Sequence, residues 1–286
     1  MQLTRDLFAI ANFLLQVVKI AFAAARVVNM ISTKNEMSGV TSVDDKLFLL
    51  LDGKDQIAVY SVNKFKRPTY LDLSGFKEDS FNDMTSCVRH KCLYMSDSHN
   101  RCIRRYDLAS SAISKWSVPG KPHGLSVTPS GNLLVTCFKP NKLVELSADS
   151  GQCVRNMPMP SDIRCPWHGI ELTTGEFVVC HGDMYSGIQG VCIVGGDGKV
   201  THSYGGQTGS DGGQLNSPCH LAVDKDSQFI FVADRSNDRV VLLNSTLEIV
   251  RYFSEGLSSP FRLHLHQSAR RLFVGQHSGR VTVIQL

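Results

Sequence analysis

At 286 residues, with 42% hydrophobic and 20% charged residues, the chain is long enough for one large all-β domain and too apolar for intrinsic disorder. Its formal net charge of +4 excludes no class of partner until the charges are mapped. Nine cysteines without a CxxC pair exclude a zinc knuckle and a thioredoxin-like redox motif; their odd number, and apolar settings such as VTCF at Cys137 and FVVC at Cys180, suit buried thiols in a reducing, cytoplasmic compartment.

In chain order, residues 1–25 are expected to form an α-helix: Thr4 can cap it, Asp6 lies in its first turn, and no Pro or Gly interrupts it. Asn12, Gln16, Lys19, Ala23 and Arg26 draw a narrow polar stripe, which favours an amphipathic helix packed on the domain or on a partner. A membrane anchor over residues 7–25 stays open as the alternative, although a Lys and two amides are costly mid-membrane.

From residue 37 onward one unit recurs. CLYMSDSHNRCIRRYDL (92–108) and FIFVADRSNDRVVLLN (229–244) share an apolar strand, a small residue, Asp, two loop residues, Asn, Arg and a second apolar strand. Weaker copies begin at Lys46, Asn132, Glu176 and Arg271, so the first apolar residues of the six copies are Leu47, Leu93, Leu133, Phe177, Ile230 and Leu272. A period of 40 to 53 residues, with alternation of period two and a short inner strand before each copy, predicts six four-stranded blades of a β-propeller. The repeated Asp and Asn (Asp97 and Asn100, Asp234 and Asn237) read first as turn residues that bond nearby amides. The last copy ends at Leu286 without its outermost strand. Residues 26–32 (RVVNMIS) stand at the right spacing before the first inner strand to supply it, giving a propeller over 26–286; the alternative is that the helix continues to about Ile31 and leaves that edge open.

Residues 212–243 (GGQLNSPCHLAVDKDSQFIFVADRSNDRVVLL) resemble an NHL repeat. The pattern G-x-L-N-x-P-x-G-[IL]-A-V-D is met by Gly213, Leu215, Asn216, Pro218, Leu221, Ala222, Val223 and Asp224, with His220 where Gly is preferred. The second half is met by Phe231, Val232, Ala233, Asp234, Asn237, Arg239 and Val240. The resemblance implies a six-bladed propeller like those of tripartite-motif proteins, which bind RNA or protein partners. No RING or B-box framework accompanies it, so ubiquitin-ligase activity is not implied.

Charge is uneven along the repeats. Residues 89–105 hold Arg89, Lys91, Arg101, Arg104 and Arg105 against Asp97; residues 251–286 hold Arg251, Arg262, Arg270, Arg271 and Arg280 against Glu255. Residues 106–250 hold 10 basic and 14 acidic side chains. Blades six, one and two are therefore expected to form a basic half, with Arg89, Arg101, Arg104, Arg105, Arg262, Arg270 and Arg271 as candidate RNA or anion contacts. His123, His168 and His220, each at the start of an inner strand, converge toward the axis and are candidates for an axial metal or ligand site, with His264 nearby and Glu171 the nearest general base. A Cys165–His168 nucleophile has no independent support. The favoured reading is a non-catalytic scaffold without a cofactor that binds a protein through a propeller face. RNA binding by the basic half and a metal-dependent hydrolase or lyase are the alternatives.

Overall fold

The computed structural model describes residues 22, 24–33, 35–52, 56–74, 81–183 and 187–286. These residues form six antiparallel sheets of four strands, each a blade. Blade one is Met37–Val43, Lys46–Leu51, Gln56–Ser61 and Lys64–Asp72; blade two is Phe81–Cys87, Cys92–Asp97, Cys102–Asp107 and Ile113–Ser117. Blade three runs Lys121–Val127, Leu133–Lys139, Lys142–Leu146 and Cys153–Pro158; blade four Pro166–Glu171, Phe177–Asp183, Ile188–Val194 and Val200–Gln207; blade five Pro218–Val223, Ile230–Asp234, Arg239–Leu243 and Ile249–Phe253. Blade six joins both ends of the propeller: Pro260–His266, Arg271–Gln276 and Arg280–Gln285 are completed by Arg26–Ser32, which pairs with Arg280–Gln285 from Arg26 opposite Gln285 to Ser32 opposite Arg280.

The regular elements of the described residues are strands, with a 3-10 turn at Arg235–Asn237. The expectation of an N-terminal α-helix is therefore corrected: the described residues form an all-β propeller. The expected helix over 1–25 lies outside the described residues except at 22, 24 and 25. Phe22 and Ala25 pack into the apolar layer between blades five and six, where Phe22 meets Phe229 and Phe231 edge-on at 5.6 and 6.1 Å. Among the described residues no helix is long and apolar enough to cross a membrane.

Alternating strands leave two apolar faces per blade, and each face is buried against the next blade. Six apolar clusters result, one at every blade-to-blade contact. The contact between blades six and one depends on the closing strand: Ile31 packs with Val281, Val283 and Phe273 against Met37, Val40, Leu47 and Leu49. The loop Asp residues do the turn work expected of them. Asp97 accepts the Asn100 backbone N–H at 2.8 Å and its side-chain amide at 2.7 Å; Asp234 accepts the Asn216 N–H at 2.6 Å and the Arg239 guanidinium at 2.7 Å. All nine cysteines are free thiols, and seven of them are buried.

Ile31 tests closure. Ile31→Ala is expected to destabilise the whole propeller by about 2–4 kcal/mol, read as a lower urea midpoint. A loss below about 0.5 kcal/mol would mean that blade six holds without its first strand.

Candidate functional site

Each inner strand carries a register shift near its start, in blade five between Pro218 and His220 and in blade six between Pro260 and Arg262. A bulge of this kind re-aims the side chain that follows it. Taken around the axis, the residues at this level are Gly39, Asp83, Gly124, His168, His220 and Arg262. The two glycines make room for the larger members. A Cβ on Gly124 would stand 2.7 Å from His168 Cδ2, and one on Gly39 would stand 2.5 Å from Met84 Cβ.

The four side chains form one buried cluster. Asp83 Oδ2 accepts the Leu125 N–H at 2.8 Å and the His220 Nε2–H at 3.3 Å; Oδ1 accepts the Met84 N–H at 2.9 Å and lies 3.3 Å from Arg262 Nε. Arg262, 1% exposed, also donates to the carbonyls of Ser38 at 2.8 Å, Phe261 at 2.9 Å and Asn82, and its guanidinium lies over the Phe261 ring. His168 and His220 stack with centroids 3.8 Å apart. Burial opposes charge on Asp83, but His220 and Arg262 outweigh it and hold the carboxyl well below its ordinary value. Burial pushes both stacked imidazoles down, so they stay neutral.

The donor atoms of Asp83, His168 and His220 lie within 4.8 Å of one another, close enough in principle to share a cation. Their hydrogen bonds argue against it. His220 Nδ1 accepts the Leu263 N–H at 3.3 Å, which leaves the ring proton on Nε2, the atom facing Asp83. His168 Nε2 lies 3.0 Å from the Leu125 carbonyl and must donate to it. Both nitrogens that face the carboxylate thus carry protons, and a permanent guanidinium already neutralises that carboxylate. The donor set does not fit a metal.

Of the axial histidines expected from the sequence, the structure brings together His168 and His220. His123 sits one residue before the ring position, edge-on to Trp167 at 4.7 Å with Nδ1 donating to the Trp167 carbonyl at 3.2 Å. His264 lies farther along its strand, 2.6 Å from Ser42 Oγ. Glu171 is held by Arg155 at 2.7 Å. Cys165 is half-buried and burial raises its thiol, the wrong direction for a nucleophile.

The basic half does not assemble as expected, and Arg262 is the clearest correction: it is an axial core residue, because the buried Asp83 carboxylate and three carbonyls demand a donor there. The others are dispersed. Arg270 pairs with Asp224 at 2.6 Å, and Arg271 is tied to the Val62 carbonyl and to Gln285. Arg105 pairs with Asp107 at 3.2 Å and Arg104 is half-buried in the same strand. Arg89 and Arg101 are exposed, one in the turn after an inner strand and the other in a loop at the opposite end of its blade. Sequence reasoning missed Asp83 and the role of Arg262. The available signal was the recurrence of Pro-x-His at 166–168 and 218–220 and Pro-x-Arg at 260–262, with Phe-Asn-Asp at 81–83 in the same register.

Around this waist the channel widens into a cavity of about 720 Å³, lined by the later halves of all six inner strands and floored by His168 and His220. Solved structures share the architecture. Virginiamycin B lyase from Staphylococcus aureus aligns with TM-score 0.62 at 11% identity, covering 92% of this chain and 99% of that one. A streptogramin B lyase gives 0.64 at 9% identity (91% and 97%), and Kuenenia stuttgartiensis hydrazine synthase gives 0.63 at 13% (90% and 97%). The chain is a six-bladed β-propeller. At these identities the likeness extends to the fold. No protein-family model and no curated protein matches the chain, so NHL membership remains a resemblance of sequence.

Two measurements test the cluster. Asp83→Asn leaves Arg262 buried without its counter-charge and is expected to cost about 3–5 kcal/mol in urea unfolding, with part of the loss recovered by adding Arg262→Met; a neutral Asp83→Asn would remove the ion pair from the fold's foundations. The second is pH. Burial lowers His123 and His181 to about 4 and His264 to about 3, from an ordinary 6.5. Between those values the unfolded chain binds protons that the folded chain refuses, so stability falls as pH drops below 6.5. The urea midpoint is expected to be lower at pH 5 than at pH 7; equal midpoints would contradict neutral, buried imidazoles.

Proposed function

We propose that this chain is a non-catalytic binding scaffold that holds a protein partner on the propeller face where the inner strands begin. The observation that carries this reading is the closed cluster at the axis. The groups an enzyme would use there, a carboxylate and two imidazoles, are committed to each other, to Arg262 and to the backbone of neighbouring blades. Both ring nitrogens of His220 and Nε2 of His168 are engaged in structural bonds, while His168 Nδ1 is buried without a hydrogen-bond partner among the described residues.

The face above the cluster has the chemistry of a recognition surface. Trp167, half-buried, packs against Phe138 at 5.4 Å, and Lys139 lies over the outer side of Phe138. Across the channel mouth Phe261 lies between Arg235, at 5.0 Å, and His277, at 5.9 Å. Trp and Arg in partly buried settings are the side chains that dominate protein interfaces. The NHL resemblance supports the same reading, since the best-known propellers of that family bind protein or RNA. The same aromatic and cationic groups also suit stacked bases, which keeps RNA as the second reading. Free thiols throughout agree with a reducing compartment such as the cytoplasm.

Cross-linked affinity capture with the full chain tests this. Phe138→Ala and Trp167→Ala are each expected to reduce capture of the specific protein partner at least tenfold while the thermal midpoint stays close to wild type for Phe138→Ala. Binding to RNA pools, run in parallel, would have to weaken steeply with salt for the second reading to take over. Undiminished protein capture by both variants would move the interface off this face.

A further inference from the structure

The cavity on the far side of the axial cluster has a chemistry of its own. On the walls given by blades one to three, the hydroxyls bond to adjacent strands. Thr41 Oγ1 and Ser86 Oγ are 2.8 Å apart, Ser86 donates to the Ser42 carbonyl at 2.8 Å, and Ser126 donates to the Gly169 carbonyl at 2.8 Å. With those groups engaged, the surface left to a ligand is largely hydrocarbon, from residues such as Val40, Leu221, Leu263 and Leu265. Its volume of about 720 Å³ lies within the range of small-molecule sites.

Three charged residues line this cavity, and two are already neutralised. Asp44 is gripped by Lys91, whose ammonium is 2.7 Å from both carboxylate oxygens, and Glu171 by Arg155 at 2.7 Å. The third, Lys225, is exposed at the mouth. Among the described residues its ammonium has no hydrogen-bond or ion-pair partner, and its charge reaches His264 on the neighbouring blade. His264 and His266 also line the cavity, whose acidic lining residues among those described are Asp44 and Glu171. The floor adds no negative potential, because Asp83 is balanced by Arg262. The cavity is therefore an apolar funnel with one uncompensated cation at its rim.

We propose that this cavity binds a small amphipathic monocarboxylate, its apolar body against Leu221, Leu263 and Leu265 and its carboxylate at Lys225. A neutral ligand of the same shape fills the funnel but leaves the ammonium without a counter-charge. A short carboxylate such as acetate meets the ammonium but gains nothing from the walls. The site is independent of the partner on the opposite face, so the two readings fail separately.

The test is isothermal titration of the full chain with decanoate, decan-1-ol and acetate, each far below any micellar concentration, at low ionic strength. Decanoate is expected to saturate one site and to bind about fivefold more tightly than decan-1-ol, the size of effect that a solvent-exposed ion pair supports. Acetate is expected not to saturate in the same range. Lys225→Met, at an exposed position, is expected to abolish the preference for decanoate over decan-1-ol. Equal affinities for decanoate and decan-1-ol, a preference that survives Lys225→Met, binding at several sites per chain, or no saturable binding at all would each overturn the proposal.

Discussion

The buried carboxylate of Asp83 is the interaction on which the rest of the propeller depends. It lies on the inner strand of blade two and takes hydrogen bonds from the backbone of blade three, from His220 of blade five and, as an ion pair, from Arg262 of blade six. A charge at 1% exposure survives only if opposite charge and donors surround it. Satisfying that one group therefore draws in four of the six blades. Arg262 in turn reaches the Ser38 carbonyl of blade one and the Asn82 carbonyl of blade two, and His168 of blade four bonds to blade three. Every blade is tied to the axis by at least one such bond.

The reason for so much polar chemistry at the centre is geometric. In each sheet the inner strand pairs on one side only, and its free edge faces the channel. Peptide groups on that edge need partners that a neighbouring strand does not supply. Side chains supply them: Ser86 on the Ser42 carbonyl of blade one and Ser126 on the Gly169 carbonyl of blade four, Ser96 on the His123 carbonyl at 2.6 Å, and Gln267 on the Val223 carbonyl at 2.9 Å. The apolar layers between blades contribute most of the burial, while these bonds set how the blades are aimed. The axial histidines share in this: His168 Nε2 bonds the Leu125 carbonyl and His220 Nδ1 takes the Leu263 N–H, while His168 Nδ1 has no hydrogen-bond partner among the described residues.

Much of the architecture was readable along the chain. The loop unit with Asp and Asn, clear in blades two and five and weaker in the others, solves a turn problem between the second and third strands that is local. Counting the unit counts the blades. The site was read less completely. His168 and His220 stood out as histidines at equivalent places, but Asp83 looked like an ordinary polar residue before an inner strand that matches the repeat poorly. Arg262 looked like one more surface arginine in a basic C-terminal segment. Summing charge along the sequence misled because it ignores which side of a strand a residue faces: Arg262 faces inward after a bulge, and Arg270, eight positions later, meets Asp224 of the next blade.

What the sequence by itself determined is the repeat: strand length, alternation, turn chemistry and therefore an all-β propeller of six blades. These follow from interactions among residues close together in the chain. What only the tertiary structure decided is the content of the axis and the register of the closing strand. A ring of Gly39, Asp83, Gly124, His168, His220 and Arg262 exists only once six bulged strands are closed side by side. Its members are separated by 41 to 52 residues along the chain, so no local pattern encodes their charge balance. The pairing of Arg26–Ser32 with Arg280–Gln285 likewise joins residues from opposite ends of the chain, and it is the open edge of blade six that selects it.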